Sequence, residues 1–238
     1  MSLILGVLGG MGPAATLDFL GRLQAYTPAA KDQDHIRVLM DLNPQVPDRN
    51  TPGAGAGPVL AEMAGGLAGG GAEVLAMPCN TAHAHADLII RASGLPLIDM
   101  IGGAAKAAAD TGARRVGVLG TKGALRLYRE YLAARGLGLV SLEATRQEAF
   151  MALLYRIKAG DLSAEARTEM ASLAHDLVAD GAETLIAGCT EAPLVLAPRD
   201  IQVPLIDAGD LLARRCVAVC LEHEPPPQVC ALPRVVRR

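Results

Sequence analysis

The sequence contains no tryptophan, and aromatic residues make up only 3% of it. Proteins that hold single-stranded nucleic acid rely on aromatic platforms for base stacking, so that class is set aside. Basic residues are not in excess either. Lys and Arg number 22 against 25 Asp and Glu, for a formal net charge of −3. Without a basic stripe, neither nucleic acid nor an anionic membrane surface is an expected partner. Long apolar runs are missing too. The stretch from Leu3 to Leu17 is broken by Gly6, Gly9, Gly10, Gly12 and Pro13 and ends at Asp18. A membrane-spanning helix needs roughly 20 apolar residues, and the stretch lacks the basic start of a secretory signal. A cytoplasmic location is therefore expected. The glycines do not fit G-x-G-x-x-G, and G-x-x-x-x-G-K-[ST] is absent, which argues against a nucleotide cofactor.

Cysteine is scarce and irregular. There are five, an odd number, with no framework spacing, so free thiols are expected rather than disulfides. Cys216, Cys220, His223 and Cys230 come nearest to a metal set. Their spacing matches no standard site and Pro225 to Pro227 intervene, so no metal is expected. The basic end from Pro233 to Arg238 reads as a solvated terminus.

What the chain does have is internal repetition. Gly6-Val7-Leu8-Gly9-Gly10-Met11-Gly12 recurs as Gly117-Val118-Leu119-Gly120-Thr121-Lys122-Gly123. Gly71-Ala72-Glu73-Val74-Leu75, leading to Cys79, recurs as Gly181-Ala182-Glu183-Thr184-Leu185, leading to Cys189. Pro96-Leu97-Ile98-Asp99 recurs as Pro204-Leu205-Ile206-Asp207. The matches keep their order and a nearly constant offset, which points to two related halves.

The apolar content, 51% of the chain, is mostly Ala, Val, Leu and Ile. That suits parallel strands buried on both faces. Strands are expected at Leu3–Leu8, Ile36–Leu42, Glu73–Met77, Leu95–Ile98, Arg115–Leu119, Leu139–Leu142, Thr184–Ala187 and Val203–Ile206. Helices are expected at Ala14–Ala25, Val59–Gly70, Ala124–Arg135, Arg146–Lys158, Ala164–Ala179 and Gly209–Glu222. Asn43 to Pro58, rich in proline, glycine and polar residues, reads as a loop long enough to bind or cover a ligand. Strands alternating with helices imply βαβ units. The fold class is α/β: two similar lobes with parallel sheets, related by pseudo-twofold symmetry, with one site in the cleft between them. The expected lobes are residues 1–104 and 105–208, with 209–238 packing back on the first.

Ligands of open parallel sheets sit at the carboxyl ends of the strands. Cys79 and Cys189 both fall there, each followed by a polar, hydroxyl-bearing stretch. A helix starting at either point would stabilise a thiolate and a substrate carboxylate. A lone cysteine is usually a small buried hydrophobe, but two at equivalent points of a repeat are not explained by packing. His83 and His85 read as helix-surface or supporting residues. Tyr128, Tyr131 and Tyr155 read as packing.

The sequence resembles the aspartate/glutamate racemase family. The resemblance rests on Gly9-Gly10-Met11-Gly12-Pro13-Ala14-Ala15-Thr16, Cys79-Asn80-Thr81-Ala82-His83 and Gly188-Cys189-Thr190-Glu191. Val46-Pro47-Asp48-Arg49 is similar to the family's proline–acid–arginine loop, and Ile157-Lys158-Ala159-Gly160 to its lysine motif. Glu191 and the Gly-Gly-Met loop differ from glutamate racemases of cell-wall synthesis and point to the aspartate branch. Asn50-Thr51-Pro52 departs from the family, which more often has a hydroxyl directly after the arginine.

The resemblance implies a pyridoxal-independent racemase with no cofactor, in which Cys79 and Cys189 act as two bases. It implies that Met11, Asn80, Thr81, Thr121 and Thr190 line the substrate. Arg49 and Lys158 would take a distal carboxylate, with Asp48 and Glu191 supporting them. The expected partner is a small dicarboxylic amino acid, aspartate or glutamate, and a homodimer is expected. Two other readings stay open: a maleate-type cis–trans isomerase and a non-catalytic dicarboxylate-binding protein.

Overall fold

The computed structural model describes residues 2–51 and 53–228. Pro52, Cys230 and the basic end from Pro233 fall outside the described residues. The chain forms two compact units, Met1–Met100 with Gly209–Arg238, and Ile101–Ala208.

In the first unit, β1 (Leu5–Gly9) is fully buried and leads into α1 (Pro13–Tyr26). β2 (Val38–Leu42), α2 (Ala56–Gly69), β3 (Val74–Ala76) and α3 (Ala86–Ser93) follow. The strands run parallel in the order β2-β1-β3. Leu5, Val7 and Leu8 on β1, and Val74, Leu75 and Ala76 on β3, are entirely shielded from solvent. This is the burial that parallel strands covered on both faces require. The helix α4 (Met100–Asp110) then carries the chain into the second unit.

The second unit holds β4 (Arg115–Leu119), α5 (Lys122–Ala133), β5 (Gly138–Val140), α6 (Ala144–Lys158) and α7 (Ala164–Ala179). β6 (Thr184–Ala187) and β7 (Leu205–Asp207) complete it. Its parallel order is β5-β4-β6-β7. α8 (Ala208–Cys220) returns the chain to the first unit. There the Leu3 N–H donates to the Cys220 carbonyl at 2.9 Å, and the Tyr26 hydroxyl donates to Asp210.

The repetition seen in the sequence reappears as repeated packing. A Cβ on Gly6 would meet Leu75 at 2.7 Å and Ala72 at 2.9 Å; one on Gly117 would meet Leu185 at 2.4 Å and Ala182 at 2.9 Å. Both glycines thus let a helix-to-strand turn close against the central strand. Glu73 accepts from the Ile4 N–H at 2.8 Å, and Glu183 accepts from the Arg114 N–H at 2.5 Å. The Leu75 N–H reaches the Pro96 carbonyl at 2.8 Å, and the Leu185 N–H reaches Pro204 at 2.9 Å.

Several expectations are corrected. Leu95–Ile98 is not a full strand; only Leu97 bridges in parallel to Leu75. The loop after Asn43 is shorter than expected, because α2 begins at Ala56. α3, which is not among the expected helices, is a short segment ended by Gly94 at φ +68°. The condition for a helix-dipole effect at the two cysteines is not met: the segments that follow them are 3₁₀ turns, Thr81–His85 and Ala192–Leu194. Such short turns do not sum to a useful macrodipole. Among the described residues, no helix is long and apolar enough to cross a membrane.

Candidate active site

The site residues of the first unit gather around the glycine loop and the end of β3. After β1, Gly10 takes φ +93°, a conformation that favours glycine, and a Cβ there would strike the Asn43 backbone at 2.4 Å. Thr16 on α1 closes the loop: its hydroxyl accepts from the Gly10 N–H at 3.0 Å and donates to the Gly12 carbonyl at 2.9 Å. Met11 is buried at the tip of this loop.

Arg49 folds back onto the same loop. Its Nη1 donates to the carbonyls of Val46 and Pro47 at 3.1 and 3.2 Å, and its Nη2 donates to the Met11 carbonyl at 3.3 Å. Its Nε is buried with no hydrogen-bond partner. A buried donor left unpaired costs about 1–3 kcal/mol, so this nitrogen is suited to an incoming acceptor. Asp48 shapes the turn that carries Arg49. Its carboxylate accepts from the Asn50 N–H at 3.0 Å and from the Asn50 amide at 3.1 Å.

Cys79 leaves β3 through Met77 and Pro78, with its N–H donating to the Met77 carbonyl at 2.7 Å. Its side chain is buried, as are Asn80 and Thr81. His83 is buried beside them, which favours the supporting role over the helix-surface one. Its ring nitrogen Nδ1 lies 2.9 Å from the Cys79 carbonyl.

The second unit builds its cysteine differently. Cys189 leaves β6 through Gly188 and is buried. Its thiol donates to Glu191 Oε2 at 2.9 Å, and the Thr190 hydroxyl donates to the same oxygen at 3.3 Å. Lys158, at the end of α6, pairs with the other oxygen, Oε1. The ammonium expected to hold a distal carboxylate is thus joined to Glu191, whose side chain is 2% exposed. Burial pushes the Cys189 thiol well above its ordinary range, and the Glu191 charge pushes the same way, while Lys158 opposes them. The sulfur is therefore held protonated.

Thr121 is the N-cap of α5, its hydroxyl oxygen accepting from the Ala124 N–H at 3.2 Å. Gln147, a residue the sequence reading passed over, is buried on α6 and donates to the Gly120 carbonyl at 3.0 Å. Only a buried polar side chain inside an otherwise amphipathic helix could have flagged it. Among the described residues, no group of three or more His, Cys, Asp or Glu is placed to hold a metal ion.

Comparison with known proteins decides the family. The Asp/Glu/Hydantoin racemase family model matches residues 8–216. The chain belongs to that family. It is 25% identical over 229 residues to the broad specificity amino-acid racemase RacX of Bacillus subtilis, covering 93% of this chain and all of that protein. It is 38% identical over 158 residues to the glutamate racemase of Pseudomonas paraeruginosa, but that match spans 61% of this chain and only 57% of the relative. Among solved structures, the Picrophilus torridus aspartate racemase superposes with a TM-score of 0.80 at 25% identity, over 92% of this chain and 94% of the other. A putative Asp/Glu racemase from Yersinia pestis gives 0.76 at 26% identity, over 92% and 99%. The α/β fold, with parallel sheets of three and four strands, is the fold of these racemases.

Proposed function

We propose that this family member interconverts L- and D-aspartate without a cofactor, using Cys79 and Cys189 as two bases on opposite faces of one α-carbon. The observation that carries the reading is the pair of buried cysteines at equivalent ends of β3 and β6, with the Cys189 thiol held as a proton donor by Glu191. In one direction the Cys79 thiolate takes the α-proton. The electron pair of the broken C–H bond moves into the α-carboxylate, giving an enediolate-like dianion. Cys189 then delivers its proton to the opposite face of the carbon, and its thiolate is left beside Glu191 and Lys158. The Lys158 ammonium offsets part of that negative charge. The reverse reaction exchanges the two roles.

General acid–base catalysis by positioned side chains supplies about 10²- to 10⁴-fold in rate. The remainder must come from donors aimed at the dianion. The backbone amides near Met11 and Asn80, with the hydroxyls of Thr81, Thr121 and Thr190, are the groups proposed for that task. Arg49 is proposed to grip the distal carboxylate through its unpaired Nε. Lys158 serves Cys189 through Glu191 rather than meeting the substrate directly. The aspartate preference draws support from the likeness to the aspartate racemase of Picrophilus torridus along most of both chains. A cytoplasmic location and a homodimer belong to the same proposal; light scattering on the purified protein reads the second.

Proton NMR of L-aspartate in D₂O with reduced, pyridoxal-free protein tests the reading. Loss of the α-proton signal with appearance of D-aspartate is the expected result. Exchange on glutamate alone would overturn the aspartate assignment. Silence on both, with maleate converted to fumarate, would replace racemisation by isomerisation.

A further inference from the structure

The ring of His83 meets three backbone groups, the Cys79 and Ile98 carbonyls and the Met100 N–H, and its geometry with the first and the last places its proton. Nδ1 lies 2.9 Å from the Cys79 carbonyl, and a carbonyl can only accept, so Nδ1 carries the hydrogen. The backbone N–H of Met100 points at Nε2 at 3.4 Å, and an N–H can only donate, so Nε2 is bare. The ring is 4% exposed. Burial lowers its pKa, which keeps the neutral form, against the opposing pull of Asp99 and of the Cys79 and Ile98 carbonyls. One face of this imidazole thus holds the backbone of Cys79, and the other holds the first residue of α4.

The second unit has no counterpart at this position. The residue in the matching place after Cys189 is Pro193, which cannot make these bonds through a side chain. The two cysteines therefore stand at equivalent strand ends with different supports. Cys189 is held at its thiol by a carboxylate, and Cys79 at its carbonyl by an imidazole.

We propose that His83 is a positioning residue for Cys79: locked as the neutral Nδ1–H tautomer, it sets the direction of the Cys79 thiol by clamping that residue's carbonyl to the start of α4. It does not itself carry a proton to or from substrate, because Nδ1 is committed to a carbonyl. The inference rests on the proposed role of Cys79 and adds to it a residue whose chemistry is not acid–base.

Two conservative variants separate the two bonds. In His83→Asn the amide Nδ2 takes the place of the ring Nδ1 and can still donate to the Cys79 carbonyl. In His83→Gln the side-chain oxygen reaches toward Met100 but no donor stands at the Nδ1 place. Misplacing a reacting group by about 1 Å costs on the order of 100-fold. His83→Gln is therefore expected to lose roughly that factor in kcat with an unchanged KM for aspartate, and His83→Asn to keep most of its turnover. The second readout does not depend on turnover: the rate of iodoacetamide labelling at Cys79 and at Cys189, followed peptide by peptide in the mass spectrometer. Cys79 labelling should change in His83→Gln and match wild type in His83→Asn, with Cys189 constant in both. Equal behaviour of the two variants, or labelling changes at both cysteines alike, would overturn the proposal. ¹⁵N NMR of histidine-labelled protein should show one Nδ1–H ring that persists from neutral to mildly acidic pH and disappears in either variant; an Nε2–H ring there would also overturn it. A wild type that labels as expected but exchanges no α-proton would sink the racemase reading and leave the positioning role standing.

Discussion

The Cys189 thiol and the Glu191 carboxylate stand 2.9 Å apart, with Lys158 on the far oxygen of the same carboxylate. A sulfur facing an anion in a buried site keeps its proton, and this fixes the sign of what each substitution must do. Burial and the Glu191 charge raise the Cys189 pKa, and the Lys158 charge lowers it. Glu191→Gln removes a charge that disfavours thiolate, so the pH at which Cys189 becomes half-reactive toward iodoacetamide should fall. Lys158→Met removes the charge that favours thiolate, so that midpoint should rise. Labelling of Cys189 across a pH series checks both. A shift in the same direction for both variants would break the electrostatic account.

Removing either cysteine should stop racemisation while leaving half of the chemistry observable. A two-base enzyme lacking one base can still exchange the α-proton of the enantiomer presented to the other. Cys79→Ala and Cys189→Ala should each lose about 10²- to 10⁴-fold or more in conversion of L- to D-aspartate. They should differ in which enantiomer retains α-proton exchange in D₂O. Two variants that lose exchange on the same enantiomer would contradict opposite-face bases.

Much of this architecture is legible in the sequence, and the reasons are local. Arg115–Leu119, Ala164–Ala179 and Thr184–Ala187 have the expected bounds because their apolar runs are closed by clear stops. Ser163, for instance, caps α7 by accepting from the Ala166 N–H at 3.2 Å. The paired cysteines were legible because duplication repeats the surroundings as well as the residue. Three things were not. Nothing in sequence separates the turns after Cys79 and Cys189 from helix starts, yet both are 3₁₀: Pro193 sits inside the second, and α3 follows directly on the first. Lys158 reads, by resemblance, as a ligand of a distal carboxylate; its pairing with Glu191, 33 residues later in the chain, shows only once the fold brings the two together. For His83 the sequence leaves surface and supporting roles open, because neither the Cys79 carbonyl nor the Met100 N–H announces its partner in sequence.

The repeated glycine contact makes a stability prediction that is independent of chemistry. In Gly117→Ala the new methyl would lie 2.4 Å from Leu185 Cδ2 and 2.9 Å from Ala182 Cβ. The leucine end can swing aside, but the alanine sits on the backbone and cannot. Overpacking of this kind costs roughly 1–3 kcal/mol. Urea unfolding should show a lower midpoint with an unchanged slope. Gly66→Ala, where nothing lies within 4 Å of the new methyl, is the control and should not be destabilised by crowding. An unchanged midpoint in Gly117→Ala would mean that β4 and β6 can separate more easily than this packing allows.

Arg49 should decide between dicarboxylates and simpler amino acids if the proposed grip through Nε holds, because its guanidinium would then have two tasks at once. Three donor contacts tie it to the carbonyls of Val46, Pro47 and Met11, while Nε remains buried and unpaired. The three bonds shape the loop, and the proposed second task, holding the distal carboxylate, falls to Nε. Arg49→Ala loses both and should hurt every substrate. Arg49→Lys keeps the charge but not the fork, so it cannot hold three carbonyls and a carboxylate together. Hydrogen bonds to charged groups are worth about 1.5–3 kcal/mol, or roughly 10- to 150-fold. Arg49→Lys should therefore lower kcat/KM for aspartate by about that factor and for alanine by far less. The ratio of the two rates, measured by α-proton exchange on one protein sample, is the number to read. An equal loss on both would confine Arg49 to bracing the loop and would move recognition of the distal carboxylate to another residue.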